Sequence, residues 1–331
     1  MSGDLLHGGA LGAMRATFPA APEPWIDLST GINPWPYPVS AIEPEAWSRL
    51  PTDEARAGCI GAMAGAFGAE AAAILPVPGS ELAIGLLPLV LVAASVAIVS
   101  PTYGDHARAW AAAGRSVRAV PTLDAALAAR PEAVVLCNPN NPDGRAVPRD
   151  AVLAAADIQA ARCSWLIVDE AFAEVAPHLS VAAHAGRAGL IVLRSFGKFY
   201  GLAGLRLAAV LGPSDILDGL RPLIGQWGVS GPALSLGVTA YADDRWRRET
   251  TDRLVGAAGS LDAVLERGGL TIVGGTSLFR FVHAPDAHAR WATLAGAGIY
   301  VRRFADLPHH LRIGLPADDA GPMRLAAALA L

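Results

Sequence analysis

Short, mostly apolar runs recur along the first two thirds of the chain, each followed by a polar loop and most of them then by a helical, alanine-rich stretch. They occupy residues 73–75, 96–100, 116–120, 134–137, 165–168 and 190–193, and residues 205–211 read as one more. Runs that are apolar throughout, and do not alternate, mark strands buried on both faces. Strand, loop and helix in repetition predict a mostly parallel sheet covered by helices on both sides. An alanine-rich helix is expected from Glu45, with Pro51 near its start and Gly68 near its end. Residues 82–99 are almost wholly apolar, but Gly85 and Pro88 interrupt them, and Glu81 and Asp105 rather than basic residues flank them. This stretch reads as a helix and a buried strand, not as a membrane span.

The texture changes after residue 215. Helices around 232–265 and 287–297 alternate with short strands at 270–273, 277–282, 300–302 and 311–313, the pattern of a smaller α+β unit. The first forty residues are rich in glycine and proline without a long period, and so predict an extended arm with turns. Three parts are therefore expected: an arm over 1–44 that joins the small domain, a large α/β domain over 45–215, and the small α+β domain over 216–331. No internal repeat and no glycine fingerprint of the dinucleotide-binding type occurs.

Composition narrows the partners. With 331 residues, 53% hydrophobic and 17% charged, the chain is that of a compact globular protein. A net charge of -4 offers no general attraction to nucleic acid or to an anionic membrane, so any anion site has to be built locally from arginines and backbone amides. Cys59, Cys137 and Cys163 are widely spaced, odd in number and unlike a metal knuckle. They read as buried thiols in a reducing compartment, with no metal site, and the start of the chain has no secretory pattern, so a cytoplasmic location is expected.

One residue stands apart. Of 26 basic side chains only Lys198 is a lysine. A chain that has replaced lysine by arginine everywhere else keeps this one for something a guanidinium cannot do, and forming a Schiff base with a carbonyl is such a thing. Lys198 follows the apolar run 190–193, on the rim where open α/β sheets place ligands. Tyr103, Asn141, Asp169 and Ser195 occupy the same rim, each just after a strand. Gly79 and Ser80 open a helix, where free backbone amides, a hydroxyl and the helix dipole suit an anion, although a serine there also reads as an ordinary cap. Asn33, before Pro34, reads by itself as a turn former.

Taken together, Gly79-Ser80, Tyr103, Asn141 in NPNNPDG, Asp169 in VDEAF, Ser195 and Lys198 in SFGKFYG, and Arg206 resemble the pyridoxal-phosphate enzymes of aminotransferase fold type I, class I/II, in order and spacing over nearly the whole chain. The resemblance implies that fold, pyridoxal 5'-phosphate as cofactor and a homodimer. Lys198 would hold the cofactor covalently and then serve as base or acid. Asp169 would pair with the pyridine nitrogen, Asn141 with the ring oxygen, and Tyr103 would stack on the ring. Gly79, Ser80, Ser195 and Arg206 would hold the phosphate. Arg312, in Leu311-Arg312-Ile313, and Asn33 would meet the substrate carboxylate. Phe172 and Leu50 depart from the pattern, standing where many relatives have tyrosines.

HGG at residues 7–9, STGINP, PTYGDHARAW and GTSLFRF resemble the threonine-phosphate decarboxylases of cobalamin biosynthesis more closely than the related histidinol-phosphate aminotransferases. This implies a small phosphorylated amino acid as substrate and loss of CO2 from O-phospho-L-threonine, to give (R)-1-aminopropan-2-yl phosphate. The substrate phosphate is assigned to Arg302 and His7, with Arg303 as the lesser candidate, although two adjacent arginines also read as a solvated pair. A phosphate-recognising aminotransferase stays open as a second reading. A non-catalytic sensor domain is a third, but the DNA-binding module and basic face that it needs are missing from the sequence.

Overall fold

The computed structural model of the chain describes residues 8–39 and 41–330. Twelve strands among them form two sheets. In chain order they are β1 (Ile26–Leu28), β2 (Ile74–Val77), β3 (Ser95–Val99), β4 (Ser116–Val120), β5 (Ala133–Cys137), β6 (Trp165–Asp169), β7 (Leu190–Ser195), β8 (Ala208–Leu211), β9 (Thr271–Thr276), β10 (Phe279–His283), β11 (Ile299–Arg303) and β12 (His310–Gly314). The seven-stranded sheet runs β2-β8-β7-β6-β5-β3-β4 and the five-stranded one β1-β11-β12-β10-β9.

By contacts the chain divides into two units: residues 36–141 with 145–247, and residues 1–35 with 142–144 and 248–331. The expected boundary at 215 is therefore displaced to 247. The helix Gly231–Ala242 packs on the helix Asp53–Phe67, and Ser214–Ile224 packs on Ser80–Val90, so these helices belong with the large sheet. The helix expected from Glu45 is two, Pro44–Ser48 and Asp53–Phe67. Pro51 cannot donate to a continuing helix, and Thr52 starts the second one by accepting from Ala55 N.

In the large unit β3, β4, β5, β6 and β7 run parallel to one another, as expected, although the edge strand β4 is largely exposed rather than buried on both faces. The interior strands β5, β6 and β7 are buried along almost their whole length. β8 returns antiparallel to β7, and β2 is antiparallel to β8, so β2 again points the same way as β5–β7. That arithmetic of directions decides where the site forms. The C-terminal ends of β2, β3, β5, β6 and β7 and the N-terminal end of β8 all reach one edge of the sheet.

A buried ionic cluster fixes the loop after β6. Arg194 on β7 donates from Nη1 to Glu170 Oε2 at 2.8 Å and from Nη2 to Glu174 Oε1 at 2.6 Å, and Glu170 also accepts from Ser180 Oγ and Val181 N. Such a network contributes little net stability but leaves few alternative positions for the loop.

In the smaller unit β1 pairs parallel with β11, so the N-terminal arm supplies an edge strand, while the pairs β11/β12, β12/β10 and β10/β9 are antiparallel. The arm also contains the helix Leu11–Thr17, which its glycine-rich sequence did not predict. Cys59 and Cys137 are buried, but Cys163 is exposed, at a turn with φ 51°, which corrects the expectation of three buried thiols. Among the described residues no helix is long and apolar enough to cross a membrane.

Candidate active site

The rim residues converge as the strand directions require. One cavity of the large unit, about 160 Å³, is lined by Gly79, Ser80, Tyr103, Asn141, Asp169, Ser195, Lys198 and Arg206, together with Phe172 and Cys137. Lys198 lies in the one-turn helix Phe196–Phe199 directly after β7 and is half-buried. Behind it Tyr200 stacks on Phe196 with ring centres 4.2 Å apart and on Trp246 at 5.6 Å, a rigid aromatic backing for the lysine turn.

Asp169 ends β6 and is 5% exposed. A carboxylate so buried needs partners, and it has them: His106 Nε2 donates to Oδ2 at 2.9 Å and Ala171 N to Oδ1 at 3.1 Å. Cys137, opposite Asp169 in the β5/β6 register, has its Sγ 3.8 Å from the same Oδ2. Burial alone would lower the basicity of the His106 imidazole. Cys137 and the hydrogen bond to Asp169 outweigh burial and raise the group to about 10. His106 thus stays an imidazolium at neutral pH, hydrogen-bonded to a carboxylate that lines the cavity. The donor atoms of His106, Cys137 and Asp169 fall within 4.8 Å of one another.

Sequence reasoning did not single out His106. The signal was present in PTYGDHARAW: Tyr103 is the N-cap of the helix Gly104–Ala112, and His106 is the third helical residue, on its buried side. Tyr103 and His106 meet edge to face at 6.2 Å. Burial, then the charges of Glu81 and Asp169, raise the Tyr103 phenol above its ordinary value, so it presents a neutral ring to the cavity.

At the other side of the cavity Gly79 caps the helix Ser80–Val90 with φ 92°, and a methyl group there would lie 2.4 Å from Arg206 Nη2. Only glycine both adopts that backbone and leaves the guanidinium next to the helix N-terminus. Arg206, itself left-handed at φ 54°, has its Nη2 3.6 Å from Glu81 Oε2 and Nη1 bonded to Ala203 O. A bare helix N-terminus with a serine, a half-exposed arginine and a second serine on β7 make an anion cradle. A cationic, anion-accepting end, a buried carboxylate at the far wall and one lysine amine fit pyridoxal phosphate end to end. Phe172, 4% exposed, makes an apolar wall.

The smaller unit holds the other predicted residues. Arg312 on β12 is 6% exposed and donates from Nη2 to Ser29 O at 2.6 Å. Its cross-strand partner on β11 is Arg302, half-buried. Burial, then the neighbouring Arg302 charge, pull the Arg312 guanidinium down to about 9. Asn33 is buried at 2%, and its Oδ1 accepts from Trp35 N in a local turn. The turn role of Asn33 is therefore a real feature. Arg303 has its guanidinium 4.0 Å over the Trp291 ring. His7 lies outside the described residues.

The raised His106 gives a pH signature. Its folded value lies above the ordinary 6.5, so its contribution to stability is complete below about pH 6.5 and is lost as pH rises through about 10. His106→Gln is expected to unfold at lower urea than the parent chain at pH 7, with the gap narrowing toward pH 10. A gap independent of pH would show that the imidazole is neutral in the folded protein.

Comparison with known proteins follows the same lines. Residues 61–328 match the family described as aminotransferase class I and II. The chain is 43% identical over 332 residues to a threonine-phosphate decarboxylase of a Sinorhizobium species, covering 100% of this chain and 99% of that one. It is 42% identical over 333 residues to the threonine-phosphate decarboxylase of Pseudomonas aeruginosa, covering 98% and 97%. In fold it superposes on the histidinol-phosphate aminotransferase of Sinorhizobium meliloti in complex with pyridoxal-5'-phosphate with a TM-score of 0.81 at 23% identity, over 96% of this chain and 93% of that one. The chain belongs to the aminotransferase class I and II family, with the type I fold of its pyridoxal-phosphate-dependent members.

Proposed function

We propose that this chain is a pyridoxal-phosphate-dependent decarboxylase that converts O-phospho-L-threonine to CO2 and (R)-1-aminopropan-2-yl phosphate, a step of cobalamin biosynthesis. The observation that carries the choice of decarboxylation over transamination is the end-to-end likeness to two threonine-phosphate decarboxylases. The cavity supports it with one lysine, one buried carboxylate and one anion cradle.

Bound there, pyridoxal phosphate supplies an electron sink for the pair left at the substrate Cα when the bond to the carboxylate breaks. Lys198 would attach the cofactor, and its amine is the group placed to deliver the proton that Cα needs. Asp169, fixed by His106, would pair with the pyridine nitrogen. Asn141 would hydrogen-bond the ring oxygen, and Tyr103 would cover one ring face. Gly79, Ser80, Ser195 and Arg206 hold the cofactor phosphate. Phe172 presents no donor and keeps water from its wall of the cavity. Arg312 and Asn33 are assigned to the substrate carboxylate, Arg302 and His7 to its phosphate. Which bond at Cα breaks depends on how these groups orient the substrate.

The protein is further read as a cytoplasmic homodimer. Trp47, Leu50 and Trp227 are 68%, 62% and 51% exposed in the single chain, large apolar side chains that a partner copy would cover. Light scattering is expected to give twice the chain mass for the parent protein and a shift toward monomer for Leu50→Asp; a monomeric parent would remove this reading.

Loaded with cofactor and given O-phospho-L-threonine without an oxo acid, the protein is expected to release CO2 over many turnovers, and Lys198→Arg to release none. Stoichiometric formation of pyridoxamine phosphate without CO2 would make it a transaminase instead. Arg302→Ala should raise KM for the phosphorylated substrate by about ten- to a hundredfold, the loss of one charge-assisted contact. An unchanged KM would take Arg302 out of the phosphate site.

A further inference from the structure

Three of the eight histidines gather at one end of the five-stranded sheet. His283 closes β10, His310 opens β12, and the two are direct cross-strand partners. The neighbouring backbone bond runs from Ala284 N to His309 O, one position further on. His283 and His310 are therefore a non-hydrogen-bonded antiparallel pair, the position at which facing side chains approach closest.

Their ring centres are 5.2 Å apart. An imidazole bound to zinc through one nitrogen puts its ring centre about 3.2 Å from the metal, so two such rings at the tetrahedral angle are about 5.2 Å apart. His310 is stacked on Phe281 at 4.8 Å and 3°, which restrains its plane. The third ring, His309, has its centre 6.2 Å from His283. Its Nδ1 lies 3.1 Å from Pro285 O. A carbonyl can only accept, so that nitrogen carries the proton and Nε2 offers its lone pair, the arrangement that orients metal-binding imidazoles. The nearby carboxylate Asp286 is engaged by Arg290 at 2.9 Å, so the donor set is all nitrogen.

We propose that His283 and His310 are the chelating pair of a binding site for a divalent transition metal of the zinc, nickel or copper class, with His309 turning in as third donor when the ion binds. The ion ties the end of β10 to the start of β12, two residues ahead of Arg312 on the same face of that strand. An all-imidazole set selects against magnesium and calcium, which take oxygen ligands.

The test uses the full chain without an affinity tag, loaded with cofactor, and zinc or nickel ions in competition with a chromophoric chelator. One ion per chain is expected, with binding weakened about tenfold or more in His283→Ala and in His310→Ala and unchanged in His288→Ala, an exposed histidine outside the cluster. Thermal midpoints measured without metal establish that each variant is folded; with zinc, the midpoint should rise in the parent and not in the His283→Ala His310→Ala double variant. Retention of full affinity by that double variant would overturn the proposal. So would failure of the parent to bind below about 1 mM metal, or a metal-induced change in cofactor absorbance at matching concentration, which would place the ion at the His106, Cys137 and Asp169 donors instead.

Discussion

A carboxylate at the end of a strand buried on both faces must be satisfied inside the protein, and that demand at Asp169 organises the large unit. The partner is His106, from the first turn of the helix that follows β3, and the pair closes at 2.9 Å. For the bond to form, β3 must lie two strands from β6 with β5 between them, which is the order observed. The register of β5 then sets Cys137 opposite Asp169, and the register of β7 sets Leu193 beside it. Lys198 follows five residues after Leu193, so the same alignment delivers the lysine to the cavity that the carboxylate faces. Replacing this buried ion pair by apolar residues would cost the sheet little. What the pair supplies is a fixed negative charge at one wall, which an apolar core cannot offer.

The rest of the charge is arranged by the same logic of local construction. The chain is acidic overall, so it attracts anions only where cations are grouped. In the large unit that grouping is a helix N-terminus opened by a glycine with positive φ and covered by Arg206. In the smaller unit it is Arg302 and Arg312, forced side by side by antiparallel pairing of β11 and β12. Two adjacent guanidiniums repel, and burial of one sharpens the repulsion.

The apolar runs of the sequence were enough to specify a parallel sheet, because strands covered on both faces have no polar side to show. The motifs were enough to name eight of the cavity residues, because strand-end loops carry the chemistry in this architecture and Lys198 is unique in composition. Both signals are local, each contained in fewer than about fifteen residues. Tertiary structure alone decided His106, which has no partner within its own segment and acquires one 63 positions away. It likewise decided that Arg194 pairs with both Glu170 and Glu174, that residues 216–247 pack with the large sheet, and that Cys163 faces solvent. Each of these depends on which surfaces meet after the chain has folded back on itself, and periodicity along the chain contains no record of that meeting.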